Sequence, residues 1–147
     1  MPRNAAGYDE DFYAWTWEQA RLLRAGEFSQ IDIENVAEEL ESMGRSDKRE
    51  IDSRLEVLLT HLLRWRVQVG FRSRSWSGTI REQRSRIEDL LAESPSLRSL
   101  VQQIRPSLYA RARRVASNET GLPMSMFPAR YPFTAAEAMA EDFLPDC

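Results

Sequence analysis

Two groups of residues in this chain have the types and spacing to do chemistry. Glu34, Glu38 and Glu41 recur at i, i+4 and i+7, which sets them on one face of a helix. His61, the single histidine, follows downstream. Glutamates on one helix facing a histidine on its neighbour is how helical bundles build metal sites. A di-metal centre of that kind needs Glu-x-x-His motifs, however, and one histidine cannot supply them. The plainer alternative is a histidine at the edge of the core, hydrogen-bonded to an acid or a carbonyl. The second group is an arginine cluster: Arg64, Arg66, Arg72, Arg74, Arg81 and Arg84, with Trp65, Phe71 and Trp76 between them. Arginines neutralise phosphates and aromatic faces stack bases, so Arg72, Arg74, Arg81 and Arg84 form a candidate anion-binding set. Against it, Arg64 and Arg66 suit the negative end of a helix, Trp65 and Trp76 fall on the period of a buried face, and no nucleic-acid-binding motif is present.

The two groups have a natural meeting point. A buried arginine requires a partner, because an unpaired buried charge is very costly. Glu38 or Glu41 with Arg81 or Arg84, joined by His61, is the expected pairing, in a network that holds the fold rather than lines a pocket. Ser73, Ser75 and Ser77 have neither a nucleophile elbow nor a catalytic partner in a known motif. No glycine-rich phosphate loop or dinucleotide fingerprint occurs. The sequence therefore assigns no catalytic residue, no metal ligand set and no cofactor, and an enzyme is not the expected reading.

The elements that must position these residues are all helical. A first helix begins near Tyr8-Asp9, with Asp9, Glu10 and Asp11 in its first turn. Phe12, Trp15, Gln19, Leu22 and Leu23 lie on one face, Tyr13, Trp17 and Ala20 form a second stripe, and Gly26 supplies the stop. A second helix is expected from its N-cap Asp32 to Met43, with Ile33, Val36, Ala37, Leu40 and Met43 inward and Gly44 ending it. Ser46-Asp47, with Glu50, then caps a third helix running to about Val69. Its Ile51, Leu55, Leu58, Leu59, Leu62, Trp65 and Val69 make it the central helix, closed by Gly70; if it lies antiparallel to the second, His61 can face the acids of that helix. A fourth helix spans about Trp76 to Glu93, with Trp76, Ile80, Ile87, Leu90 and Leu91 inward. A fifth starts at Ser94-Pro95. Pro106 should break it, yet Leu97, Val101, Ile104, Leu108, Ala112 and Val115 keep one helical phase across the proline. One kinked helix from Pro95 to about Glu119, stopped at Gly121, is therefore expected. Leu122 to Phe133, with three prolines among methionines and aromatics, reads as an extended strap completing the core. Thr134 and Glu137 form a capping box for a last short helix. The fold class is thus an all-α bundle of about five main helices, with a short C-terminal helix and a proline-containing strap.

Composition agrees. At 147 residues the chain has the length of one domain, and residues 1–147 are expected to form one, with 1–7 flexible. The formal net charge is −3, unevenly spread. From Asp9 to Glu50 there are twelve acids and five bases; from Arg64 to Arg86 there are seven arginines and one acid. Of the 20 basic residues only Lys48 is a lysine. The one cysteine, Cys147, can form neither an internal disulfide nor a cysteine-rich zinc site. The start MPRNAAGYDEDF has no apolar core of the signal-peptide kind, and no apolar run is long enough to span a bilayer. The cytoplasm is the expected location.

Several blocks also match a known family in order: YDEDFYAWTWEQARLLRAGEF, ENVAEELESMGRSDKREIDSRLEVLLTHLLRW, RSWSGTIREQR, SPSLR and ETGLP…FP…YPFT…DFLP. The chain resembles, from Tyr8 to Pro145, a bacterial family known only as domain of unknown function 29. The resemblance implies an all-α fold and a bacterial source. It implies no activity and carries no catalytic residue with it. On this footing the expected function is a helical interaction or regulatory module that binds a protein partner or itself. The alternatives are a phosphate or nucleic-acid binder using Arg72 to Arg84, and a metal or catalytic site around Glu38, Glu41 and His61.

Overall fold

A computed structural model describes residues 7–146. The flexibility expected of residues 1–7 therefore falls, Gly7 apart, outside the described residues, as does Cys147. Among the described residues the regular structure is entirely helical: α1 (Phe12–Ala25), α2 (Ile33–Val67), α3 (Arg74–Glu93), α4 (Ser99–Gln102), α5 (Pro106–Thr120) and α6 (Ala135–Met139), with short 3₁₀ turns between them. The fold is all-α. The chain divides into two compact units, Met1–Ser46 and Asp47–Cys147, with the boundary inside α2.

In the first unit α1 starts later than its acids suggest. Asp11 is the N-cap, its carboxylate accepting the Ala14 N–H, and Gly26 ends the helix at φ 72°. That left-handed conformation is one a side chain resists. Trp15, Gln19 and Leu22 are buried, whereas Phe12 and Leu23, expected beside them, are about half exposed. The turn into α2 is fixed by polar contacts. The Trp15 indole N–H donates to Asp32 Oδ2 at 3.1 Å, and Asn35 Nδ2 donates to the same oxygen at 2.8 Å. Gln19 Oε1 accepts the Asp32 backbone N–H at 2.8 Å. The Asn35 and Trp15 hydrogen bonds hold the Asp32 carboxyl below the usual carboxylate range, against a desolvation that pushes it up.

The expected second and third helices are one helix of 35 residues. Gly44 does not end it, and Ser46-Asp47 do not cap a new one. A glycine inside a helix costs only about 1 kcal/mol relative to alanine, and Gly44 does not take the left-handed conformation that Gly26 and Gly121 do. Arg45 also ties the helix together across the glycine, reaching Glu38 at 2.6 Å and Glu41 at 3.7 Å. With no turn between them, the two segments cannot form the antiparallel pair that would have set His61 against the acids.

The second unit is built on the Asp47–Val67 part of α2. Ile51, Leu55, Leu58, Leu59 and Leu62 are fully buried against Ile80, Ile87 and Leu91 of α3, Val101 of α4, Leu108 and Ala112 of α5 and Ala138 of α6. The central role expected of this segment is what the packing shows, although Val69 is half exposed. A smaller cluster joins Leu63, Tyr109, Ala116 and Phe127, so the strap does complete the core, with Phe127 as its anchor.

The kinked helix expected across Pro106 is instead a break. Gln103 is extended at φ −139°, ψ 136°, and so is Arg105 at φ −68°, ψ 133°. Pro106 then opens α5 as its first residue. A proline lacks only an N–H that a first helical position leaves unbonded, and it drives the preceding residue out of the helical region. Phase survives because the two pieces lie on the same core. Arg105 fixes the linker by a bidentate pair with Asp52 of α2. α6 carries the capping box formed by Thr134 and Glu137.

Two predictions follow from the paths of α1 and α2. A Cβ added at Gly44 meets nothing within 4 Å, so Gly44→Ala is expected to stabilise the protein by about 0.5–1 kcal/mol. A rise in Tm would show this; a fall would mean that the helix breaks there. Asp32 has a depressed folded pKa, so its stabilising contribution is complete above its unfolded value near pH ~4 and is lost as the pH falls through the folded one. Acid titration followed by the Trp15 indole N–H resonance should be less steep below that pH in Asp32→Asn than in the natural chain.

Candidate functional site

The polar residues singled out in the sequence are dispersed by the fold, and backbone carbonyls take the place expected of carboxylates. Arg84 sits on the buried side of α3, one turn from Ile80 and Ile87, with 5% of its surface exposed. Among the described residues its guanidinium pairs with no carboxylate. Nε donates to the Ala138 carbonyl at 2.7 Å, Nη1 to Glu141 at 3.3 Å and Nη2 to Phe143 at 2.8 Å. These oxygens belong to the end of α6 and the turn after it, where a helix exposes unbonded carbonyls with partial negative charge. Desolvation lowers the Arg84 pKa, against the raising influence of Tyr131 and Asp142, and the guanidinium stays charged. Arg72 repeats the device. It donates to the Trp65 carbonyl at 2.7 Å and the Pro145 carbonyl at 3.4 Å, with its guanidinium 5.1 Å from the Trp65 ring centre.

The pairing expected between Glu38 or Glu41 and Arg81 or Arg84 is therefore corrected. Glu38 and Glu41 bind Arg45 of their own helix. The physical reason is that a planar fork with five N–H groups is satisfied by several carbonyl dipoles as well as by one carboxylate, and the α6 terminus offers them without a second buried charge. Glu34 is exposed in the first turn of α2. His61 takes the plainer role: its Nδ1 lies 3.0 Å from the Val57 carbonyl one turn earlier. Among the described residues no three His, Cys, Asp or Glu side chains are grouped so that they could hold a metal ion.

Of the four candidate anion-binding arginines, Arg72 and Arg84 are thus engaged by carbonyls, while Arg74 and Arg81 stand exposed in the first half of α3. Arg64 pairs with Glu119 at 2.9 Å and lies 4.3 Å from the centre of the Trp76 ring. The cation–π contacts show why the tryptophans are unavailable to a base: Trp65 and Trp76 are partly buried, and arginines of their own unit lie over them.

What the sequence did not single out is the outer surface of the first unit. Tyr13 and Trp17 lie one turn apart on α1, 72% and 60% exposed, with their rings in edge contact at 6.2 Å. An open depression lined by these two side chains continues along α1 to Arg24 and Ala25. On α2, Ile33, Leu40 and Met43, expected in a core, are each more than 60% exposed, and Phe28 between the helices is equally so. The signal was present as the second stripe of α1. What could not be read was that two apolar stripes on so short a hairpin exceed what the hairpin can bury. Residues 7–46 hold ten acids and three arginines.

The clamp makes a testable claim. Arg84→Met leaves all three carbonyls without their donor and is expected to cost roughly 2–3 kcal/mol in chemical denaturation, and Arg84→Lys, whose single ammonium lacks the planar fork, should recover only part of that. Glu38→Ala, which removes an exposed ion pair, is expected to change stability by no more than about 0.5 kcal/mol. A neutral Arg84→Met would show that the carbonyls find other donors.

Among the described residues, no helix is long and apolar enough to cross a membrane. Neither a curated protein nor a solved structure matches the chain. One family does, over residues 8–144, and it spans both compact units, the Arg84 clamp and the exposed apolar hairpin. By that match the chain belongs to the family described as Domain of unknown function DUF29.

Proposed function

We propose that this protein is a non-enzymatic interaction module whose N-terminal hairpin docks a protein segment that is both apolar and basic. The observation that carries the reading is the exposure of Tyr13, Trp17, Phe28, Ile33, Leu40 and Met43 on a unit that, among its described residues, buries only Trp15, Gln19 and Leu22. A segment of about 40 residues rarely builds a self-sufficient core, and large apolar patches on soluble proteins mark binding surfaces. Tyrosine and tryptophan, here Tyr13 and Trp17 in edge contact, are among the side chains that dominate interface energies. The excess of seven acids within residues 7–46, ten against three, selects a basic partner through charge complementarity. An amphipathic helix with arginines or lysines flanking its apolar stripe has that chemistry. We further take the protein to act in the bacterial cytoplasm, a reading supported by a single cysteine in 147 residues.

Binding is tested with a synthetic amphipathic helical peptide in two forms, lysine-flanked and glutamate-flanked, followed by tryptophan fluorescence and calorimetry. The lysine form is expected to bind, more weakly as salt rises. Tyr13→Ser/Trp17→Ser should weaken it by at least about 2 kcal/mol while leaving Tm within about 2 °C, because both side chains are exposed. Equal affinity for the two peptides, or an unaffected double variant, would refute the reading. Light scattering separates the remaining case: if the natural chain is a dimer and the double variant a monomer, the partner is a second copy.

A further inference from the structure

The second unit holds a concave space that the interaction reading does not use. Between α5 and the strap lies a cavity of about 460 Å³, lined by Ile104, Pro106, Tyr109, Met124 and Tyr131, with Arg114 and Arg130 among its edges. Its size falls in the range of small-molecule sites, which are mostly apolar with a few placed polar groups. Hydrogen bonds fasten the strap beside it. Arg113 donates from Nε and Nη2 to the Phe127 carbonyl and from Nη2 to the Met124 carbonyl, at 2.9–3.1 Å. The Tyr109 hydroxyl donates to the Pro128 carbonyl. These contacts fix the strap against α5 at Met124–Pro128, and the cavity lies beside them.

Polarity is divided within it. Tyr109 is buried, Ile104, Met124 and Tyr131 are partly buried, and Arg114 and Arg130 are exposed. No acid lines the cavity, and neither Arg114 nor Arg130 has a hydrogen-bonding or ion-pairing partner among the described residues. An apolar recess with two unpaired guanidiniums at its edge fits one chemistry: a small molecule with a hydrocarbon body and a single anionic head. The body replaces water against the tyrosine, isoleucine and methionine side chains, and the head accepts charge-assisted hydrogen bonds from the arginines. We propose that this cavity is a binding site for a small alkyl carboxylate.

The test uses the full chain and three probes: decanoate below its micellar concentration, decanol and acetate. Calorimetry is expected to show decanoate binding at least tenfold more tightly than either of the others, because only decanoate meets both the apolar wall and the arginines. Arg114→Ser/Arg130→Ser should reduce decanoate affinity at least tenfold and leave decanol unchanged. Ala110→Trp, which fills the recess from an exposed helical position lining it, should abolish binding of both. All substituted residues are exposed, and the Tm of each variant reports that it is folded. Failure of decanoate to bind the natural chain overturns the proposal. So does decanoate binding that survives Ala110→Trp, or that the arginine pair does not affect. Tyr13→Ser/Trp17→Ser should bind decanoate as the natural chain does, so failure of the hairpin reading and failure of this one are separable.

Discussion

A guanidinium that leaves water must find acceptors for its N–H groups inside the protein, and Arg84 finds three in the backbone between Ala138 and Phe143. The arrangement binds two structures to each other's needs. The end of α6 has carbonyls with no helical partner, and α3 carries a charge that its own buried face cannot solvate. Together they fasten the C-terminal segment onto α3. Arg72, at the carbonyl of Pro145, extends the same attachment by two residues. Because Ala138 is fully buried in the main core, the hydrophobic packing of that short helix depends on the polar clamp next to it. A five-residue helix has little intrinsic stability, so its place is set by Thr134, Glu137 and Arg84 rather than by its own propensity.

The same economy appears elsewhere in the second unit. Arg113 serves the carbonyls of Met124 and Phe127, and Tyr109 serves that of Pro128. The strap has three prolines and no ladder of its own, so its carbonyls need outside donors, and arginine, with five N–H groups on one plane, meets several at once. The preponderance of arginine over lysine in this chain thus has a structural use. It also explains why half of the candidate phosphate set is engaged within the fold: Arg72 and Arg84 donate to peptide oxygens.

The first unit is organised differently. Its polar knot of Trp15, Gln19, Asp32 and Asn35 fixes the turn between α1 and α2, but among its described residues only three side chains are buried. Tyr8, whose hydroxyl donates to Glu39 and is thereby pushed up to about 12, covers one side of Trp15 at a ring distance of 4.8 Å. The opposite stripe stays in water. The hairpin is thus specified by hydrogen bonds more than by burial, and such a unit keeps apolar surface to spare.

Much of this could be read from residue order alone. Helical periodicity fixed the fold class, the buried face from Ile51 to Leu62, Gly26 and Gly121 as helix stops, and the Thr134–Glu137 capping box, because each of these depends on neighbours within a turn or two. Resemblance over the length of the chain anticipated the family. The failures all involve a choice between two locally acceptable states. Gly44 can end a helix or ride inside one, and ion pairs from Arg45 favour the second. Pro106 can kink a helix or begin one, and Asp52, more than fifty residues earlier in the sequence, holds the linker residue Arg105 where a new helix begins. Arg84 can seek a carboxylate or a set of carbonyls, and only the docking of α6 puts the carbonyls there. Likewise the Tyr13–Trp17 stripe has the same pattern whether it faces a core or water. Local spacing sets which states are possible; the tertiary structure decided among them, because the deciding partner is distant in sequence and its energy is gained only once the chain has folded.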